Sequence, residues 1–118
     1  MIAALRGVVL SKNLNDAVLD VNGVGYRVFF SLLSLSRLPD EGKLVSLRVR
    51  TVVRDDAIEL YGFLSETEEQ IFLLLTSVSH VGPKLALTVM SGLEAEELVK
   101  AIGSGEVSLR EGKSSHDR

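Results

Sequence analysis

The sequence lacks cysteine and contains only two histidines among its 118 residues. Without cysteine the chain has no disulfide, no thiolate zinc site and no cysteine nucleophile. His80 and His116 lie far apart in the sequence, which argues against a metal or catalytic centre built on imidazole. The net charge of −3 argues against a basic coat that holds nucleic acid through bulk electrostatics. No run approaches the ~18 apolar residues that span a bilayer. We therefore expect a soluble, cytoplasmic protein without a membrane segment or a bound cofactor.

The spacing of apolar residues changes near Phe63, from a period of two to a period of three to four. The first part predicts strands at residues 2–10, 17–21, 26–30, 43–53 and 57–63, and a short helix at 31–38 capped by Ser31. Asn22-Gly23 predicts a tight hairpin turn, and Gly25 predicts a bulge or a close approach of two backbones. Five or six short strands in this part predict a small closed or nearly closed barrel.

The second part of the chain predicts helices. Residues 65–68 fit a capping box, in which a hydroxyl and a carboxylate each accept a backbone hydrogen bond from the other residue. Gly82-Pro83 marks the next break, and a second helix is expected from Lys84 to about Met90, followed by a third at 94–102. Apolar residues are absent after Leu109. The expected organisation is a barrel domain at 1–63, a partial helical domain at 64–107 and a disordered tail at 108–118.

The turn between the first two of these helices is the first candidate site. A tight turn leaves backbone N–H groups unpaired at the start of the second helix, and these donors together with the helix dipole can hold an anion. Lys84 lies in the first turn, where its ammonium group could reach the same anion. A helix-hairpin-helix element grips a DNA phosphate in this way. The alternative is a plain helix turn with a solvated lysine, and spacing alone favours it.

Asp55 and Asp56 are the second candidate, at the expected tip of a loop between two strands. With Glu59 they could form a carboxylate metal site or a general-acid pair. They could instead repel a phosphate backbone and force strands apart. A third alternative is that they are solvated turn residues, because aspartate is common in turns for local reasons.

Arg48, Arg50 and Arg54 are the third candidate. They lie at positions i, i+2 and i+6, so that one face of the strand could be basic. A basic face suits the positioning of phosphates. An ordinary polar outer face remains the alternative.

Taken together, these segments resemble the RuvA family of Holliday junction DNA-binding proteins. The resemblance covers roughly residues 1–107 and rests on four motifs that occur in the family's order. The matching stretches are Met1-Ile2 with Leu5-Arg6-Gly7, the segment 20–26, the segments 53–57 and 60–63, and the segment 81–87 followed by Ser91-Gly92.

The resemblance implies an OB-fold barrel followed by a helix-hairpin-helix domain, in a homotetramer around an open four-way DNA junction. Asp55 and Asp56 then match an acidic pin at the crossover. Val81, Gly82 and Lys84 match the hairpin that holds a duplex arm, and Arg54 beside the pin is expected to bind DNA as well. The family functions in recombination and repair without catalytic residues of its own. ATP hydrolysis belongs to its partner motor RuvB, and RuvC is the partner resolvase.

Two departures from the family pattern bear on these expectations. His80 stands where the family usually has glycine. If the φ of His80 is positive, the histidine would lower the stability of the fold by on the order of 1 kcal/mol. No proline follows Pro83, whereas the family continues with a second hairpin and a motor-docking domain. We expect a truncated product that does not recruit RuvB and binds junctions more weakly, with a shallower salt dependence. The alternatives are a self-associating fragment without useful DNA binding and a carboxylate metal nuclease.

Overall fold

The computed structural model describes residues 1–92, which form five strands and three short helices. The strands are β1 Ala4–Lys12, β2 Asp16–Val21, β3 Val24–Phe29, β4 Leu44–Val53 and β5 Ile58–Phe63. The helices are α1 Leu32–Arg37, α2 Glu66–Thr76 and α3 Pro83–Ser91. None of these helices has the length and apolar character of a membrane span. The predicted helix at 94–102 and the predicted tail at 108–118 lie outside the described residues.

The five strands close into a barrel in the order β1-β2-β3-β5-β4, which confirms the predicted OB-like fold. The contacts of β3 with β5 are parallel, and all other pairs are antiparallel. The hairpin between β2 and β3 turns at Asn22 and Gly23, whose φ angles are 54° and 92°. Positive φ at both central residues is the geometry of a two-residue hairpin turn that follows the twist of the strands.

The predicted bulge at Gly25 is wrong. Gly25 pairs with Asp20 in a regular register, because the two-residue turn leaves no extra residue in either strand. The close approach predicted there is also absent, since a Cβ at Gly25 would lie 3.4 Å from Val18, an ordinary contact. The register shift occurs instead in β1, between Val9 and Ser11.

Strand β5 contributes side chains to two hydrophobic cores, because successive residues of a strand point to opposite faces. Leu60 belongs to the core inside the barrel. Tyr61 and Phe63 belong to a second core on the outer side, where α2 and α3 pack. The helical members of that second core are Ile71, Phe72, Leu75, Ala86, Leu87 and Met90. Alternate residues of β5 thus contribute to both the barrel interior and the contact with α2 and α3.

The two helix caps confirm the sequence prediction, with one difference. The hydroxyl groups of Ser31 and Ser65 accept hydrogen bonds from the third residue after each of them. The carboxylate of Glu68, however, accepts from the backbone N–H of Leu64 and from the hydroxyl of Ser34, both at 3.0 Å, rather than from the Ser65 N–H. Glu68 is buried where α1 and α2 begin, so that its carboxylate connects the two helix starts.

Candidate nucleic-acid interface

Asp55 and Asp56 lie at the tip of the hairpin between β4 and β5. The backbone N–H of Arg54 donates to the carbonyl of Ala57 at 2.8 Å and closes the loop beneath them. Both aspartates are exposed, and neither carboxylate has a hydrogen bond or an ion pair with another residue in the range 1–92. The tip therefore presents two negative charges without an ion-pair partner in the described part of the chain.

The turn between α2 and α3 leaves backbone N–H groups without acceptors in the described chain. α3 begins at Pro83, and its N-cap, Gly82, offers no side-chain hydrogen bond to the helix start. Within the described chain, the N–H groups of Gly82, Lys84 and Leu85 donate to no other residue. Unpaired donors of this kind at a helix start attract anions. The sequence prediction does not include Leu85. Its place in the first turn of α3 is nevertheless a signal that its N–H group has no acceptor within the helix.

Val81 and His80 complete the turn in different ways. The N–H of Val81 donates to the carbonyl of Val78 at 3.1 Å, so it holds the turn together instead of facing outward. The Val81 side chain packs against the second core. His80 is exposed and has a φ of 70°, which confirms that a residue other than glycine occupies the left-handed region here.

The ammonium group of Lys84 is turned toward the barrel. It donates to Oε2 of Glu59 at 3.0 Å and to the hydroxyl of Tyr61 at 3.1 Å. It also lies 4.5 Å from the centre of the Phe29 ring, within the range of a cation–π interaction. The Tyr61 hydroxyl donates in turn to Oε1 of Glu59 at 2.8 Å. A side chain predicted to reach an anion is therefore held by a carboxylate of β5.

Glu59 also binds the arginine next to the two aspartates. The Nε of Arg54 donates to Oε1 of Glu59 at 3.0 Å. The hydrogen bonds from Lys84, from Tyr61 and then from Arg54 lower the pKa of Glu59 from 4.5 to about 2. Glu59 is therefore fully ionised at neutral pH and sits between the acidic loop and the start of α3.

The remaining two arginines form ion pairs with α2. The Nε groups of Arg48 and Arg50 donate to the two oxygens of Glu69, at 2.6 and 3.0 Å. Glu69 is only 7% exposed, whereas the arginines are about half exposed. The hydrogen bond to Glu69 raises the pKa of Arg48. Arg48 and Arg50 of the predicted basic face thus fasten β4 to α2. No local pattern indicates this pairing, because Glu69 lies on a different element.

The carboxylates do not assemble into a metal site. Glu59 faces Lys84 and Arg54, and in residues 1–92 no group of three or more histidine, aspartate or glutamate side chains is placed to hold a metal ion. The described structure therefore offers no geometry for the metal-nuclease alternative.

The sequence family described as the RuvA N terminal domain matches residues 1–62, which is more than half of the chain. The chain belongs to the RuvA family. Residues 1–62 include all five strands of the barrel except the last residue of β5, so the family match covers the acidic loop but not the turn between α2 and α3.

Several curated relatives of this RuvA-family chain carry the name Holliday junction branch migration complex subunit RuvA. The protein of Myxococcus xanthus is 61% identical over 108 residues, which is 92% of this chain and 54% of the relative. That of Syntrophotalea carbinolica is 51% identical over 105 residues, or 89% of this chain and 53% of the relative. That of Solibacter usitatus is 46% identical over 107 residues, or 91% and 54%. The chain spans about half the length of the curated relatives it matches.

In this RuvA-family chain the predicted site residues fall into two places. Asp55 and Asp56 occupy a hairpin tip, and Gly82 and Lys84 occupy the start of α3. The structure connects the two places through Glu59, which the sequence suggests only as a third carboxylate for a metal site or a general-acid pair. The pin role of the aspartates and the DNA-binding roles of Val81, Gly82, Lys84 and Arg54 stay predictions.

Proposed function

We propose that this chain is a non-catalytic DNA-binding subunit that recognises four-way junctions in recombination and repair. The observation that carries the proposal is the pair Asp55 and Asp56 at an exposed hairpin tip, where neither carboxylate has an ion pair with a residue in the range 1–92. Two carboxylates repel the phosphates of a continuous duplex. At the centre of a four-armed junction, where the strands diverge, the same repulsion keeps the strands apart. The names of the curated relatives, which refer to the Holliday junction, support this assignment.

The duplex arms would be held by neutral donors rather than by a basic surface. The unpaired N–H groups of Gly82, Lys84 and Leu85 lie at the start of one helix, where the helix dipole adds to their attraction for a phosphate. Such a grip is compatible with a net charge of −3. Repulsion at the acidic loop and attraction at α3 together favour a branched DNA. In a branched DNA the arms can bind the α3 donors while the open centre keeps its phosphates away from the two aspartates.

We infer further that the binding unit is a homotetramer around the junction. One tip carries two charges, and four copies around a centre would concentrate the repulsion where the four arms meet. In the full-length RuvA family, such an assembly would have the motor RuvB and the resolvase RuvC as partners. We also propose that residues 1–63 form a barrel domain and residues 64–107 a partial helical domain.

The test is a gel-shift titration at low salt with an immobile four-way junction and a linear duplex of equal total length. The junction should bind more tightly than the duplex, and sedimentation of the same preparation should show tetramers. Equal binding of the two DNAs would refute the junction proposal. Tetramers without any junction shift would support a self-associating chain without useful DNA binding.

A further inference from the structure

The ammonium group of Lys84 already has three contacts in the described structure, two hydrogen bonds and one aromatic ring. A lysine has three donors and no acceptor. Two of them are used by Glu59 and by the Tyr61 hydroxyl, and the ammonium group rests against the face of the Phe29 ring. The side chain is 56% exposed, so it could leave this position without passing through the core. The position of the ammonium group therefore depends on whether it binds Glu59 or a competing anion more strongly.

A DNA phosphate would compete poorly for this lysine. Moving the ammonium group to a phosphate would leave the Glu59 carboxylate with Arg54 as its only remaining cation among residues 1–92. Glu59 would then add a negative charge next to the DNA, close to a loop that already carries two. The gain of one phosphate contact would thus be offset by the loss of an ion pair and by a new repulsion.

Glu59 joins the two parts of the candidate interface. Its Oε2 accepts from Lys84, in the first turn of α3, and its Oε1 accepts from Arg54, the residue that precedes the acidic pair. Glu59 itself belongs to β5, the strand on whose outer face the helices pack. The start of α3 and the acidic loop therefore have one common point of attachment on the barrel.

We propose that Glu59 and Lys84 form a clasp that positions the α3 amide donors relative to the acidic loop, and that Lys84 stays on Glu59 in the DNA complex instead of neutralising a phosphate. This inference rests on the proposed function. It makes Glu59 and Lys84 positioning residues, and it leaves phosphate binding to the backbone N–H groups of Gly82, Lys84 and Leu85. The lowered pKa of Glu59 is consistent with an intact, charged pair at neutral pH.

The salt dependence of junction binding separates the clasp from a phosphate contact. A lysine that neutralises a phosphate contributes about 0.9 to the slope of log affinity against log salt concentration. The slope and the affinity are measured for the unmodified chain, for Lys84→Met, for Glu59→Gln, and for Lys43→Met. Lys43 is exposed and its side chain has no partner in the described chain, so this last variant controls for the loss of one positive charge.

The clasp predicts that Lys84→Met and Glu59→Gln each weaken junction binding by about 3- to 10-fold, the loss that an exposed ion pair with a cation–π contact implies. The slope should stay the same in both variants, and Lys43→Met should bind like the unmodified chain. A slope lowered by about 0.9 per contacting protomer in Lys84→Met would overturn the proposal. Tighter binding by Glu59→Gln, or unchanged binding by Lys84→Met, would overturn it as well.

A second measurement tests the clasp without DNA. If the unmodified chain does not prefer the junction, the proposed function is wrong, and NMR then shows separately whether the clasp exists. The side-chain carboxyl carbon of Glu59 should titrate at about 2 in the unmodified protein and at a higher pH in Lys84→Met, with shifted amide signals for Gly82 and Leu85. An unchanged titration in Lys84→Met would show that no clasp exists.

Discussion

Replacing Gly62 with alanine should destabilise the barrel by overpacking. Gly62 lies in β5 opposite Val49, with its face directed into the barrel. A Cβ there would lie 2.6 Å from the Val28 Cγ1 and 2.6 Å from the Phe30 Cε1. The backbone φ of Gly62 is not positive. The position therefore requires glycine because of space alone.

The expected cost follows from how little these neighbours can move. Carbon atoms in a protein interior rest about 3.5–4.0 Å apart, so the added methyl overlaps each neighbour by about 1 Å. Val28 is completely buried, and its strand pairs with β5 two residues from Gly62. Overpacking of a dense core costs about 1–3 kcal/mol, and we expect the upper end of that range. At about 4–8 °C per kcal/mol, the melting temperature should fall by at least ~10 °C.

Thermal and urea unfolding of Gly62→Ala would measure this cost. Gly25→Ala is the matched control, because Gly25 is also a strand glycine without positive φ, yet a Cβ there meets only Val18, at 3.4 Å. We expect the control to lose less than ~1 kcal/mol. Adding Val28→Ala to Gly62→Ala should recover part of the loss relative to the sum of the two single changes. A Gly62→Ala protein within ~0.5 kcal/mol of the unmodified chain would refute the packing argument.

Three further predictions concern single side chains. Because the pKa of Glu59 is lowered from 4.5 to about 2 on folding, its ion pair stabilises the protein fully above pH 4.5 and is lost as the pH falls toward 2. The stability difference between the unmodified chain and Glu59→Gln, about 1 kcal/mol once solvent screening of the half-exposed Lys84 is allowed for, should therefore shrink between pH 5 and pH 2 in urea titrations. A constant difference would contradict this account. At position 80, where φ is 70°, His80→Gly should be more stable than His80→Ala by about 1 kcal/mol, the reverse of the usual order of glycine and alanine; equal stabilities would show that the turn is not strained. Glu68→Ala should cost about 1–3 kcal/mol, because it leaves the Leu64 N–H and the Ser34 hydroxyl without their acceptor, and urea unfolding showing a loss below ~0.5 kcal/mol would mean that water replaces the carboxylate.

The elements that could be predicted from the sequence are those fixed by local chemistry. The Asn22-Gly23 turn follows from the ability of both residues to adopt positive φ. The starts of α1 and α2 follow from Ser31 and Ser65, whose hydroxyls accept hydrogen bonds from nearby N–H groups. The barrel follows from five alternating segments that all need a common interior.

The parts that could not be predicted depend on contacts between distant elements. Glu59 and Lys84 are 25 residues apart in the sequence, and no local pattern distinguishes a lysine that binds a carboxylate from one that awaits a phosphate. The same holds for Arg48 and its partner Glu69, 21 residues away. Glu68 could be predicted only in part. Its place in a capping box was visible, but the nearness of α1 decided which donors its carboxylate would accept.

The exposed tip of the β4–β5 hairpin carries the central claim, that Asp55 and Asp56 face the phosphates at the centre of a junction. The most direct measurement is the junction affinity of the double variant Asp55→Asn with Asp56→Asn at low salt. The matched control is Asp40→Asn with Glu41→Gln, which removes the same charge from another exposed loop. A charge about 8 Å from a phosphate contributes ~0.5 kcal/mol in water, so removal of both, ~1 kcal/mol together, should tighten junction binding by about 5-fold. The control pair should leave the ratio of junction to duplex affinity unchanged. Weaker junction binding by the Asp55 and Asp56 variant, or an equal gain in the control, would contradict the claim.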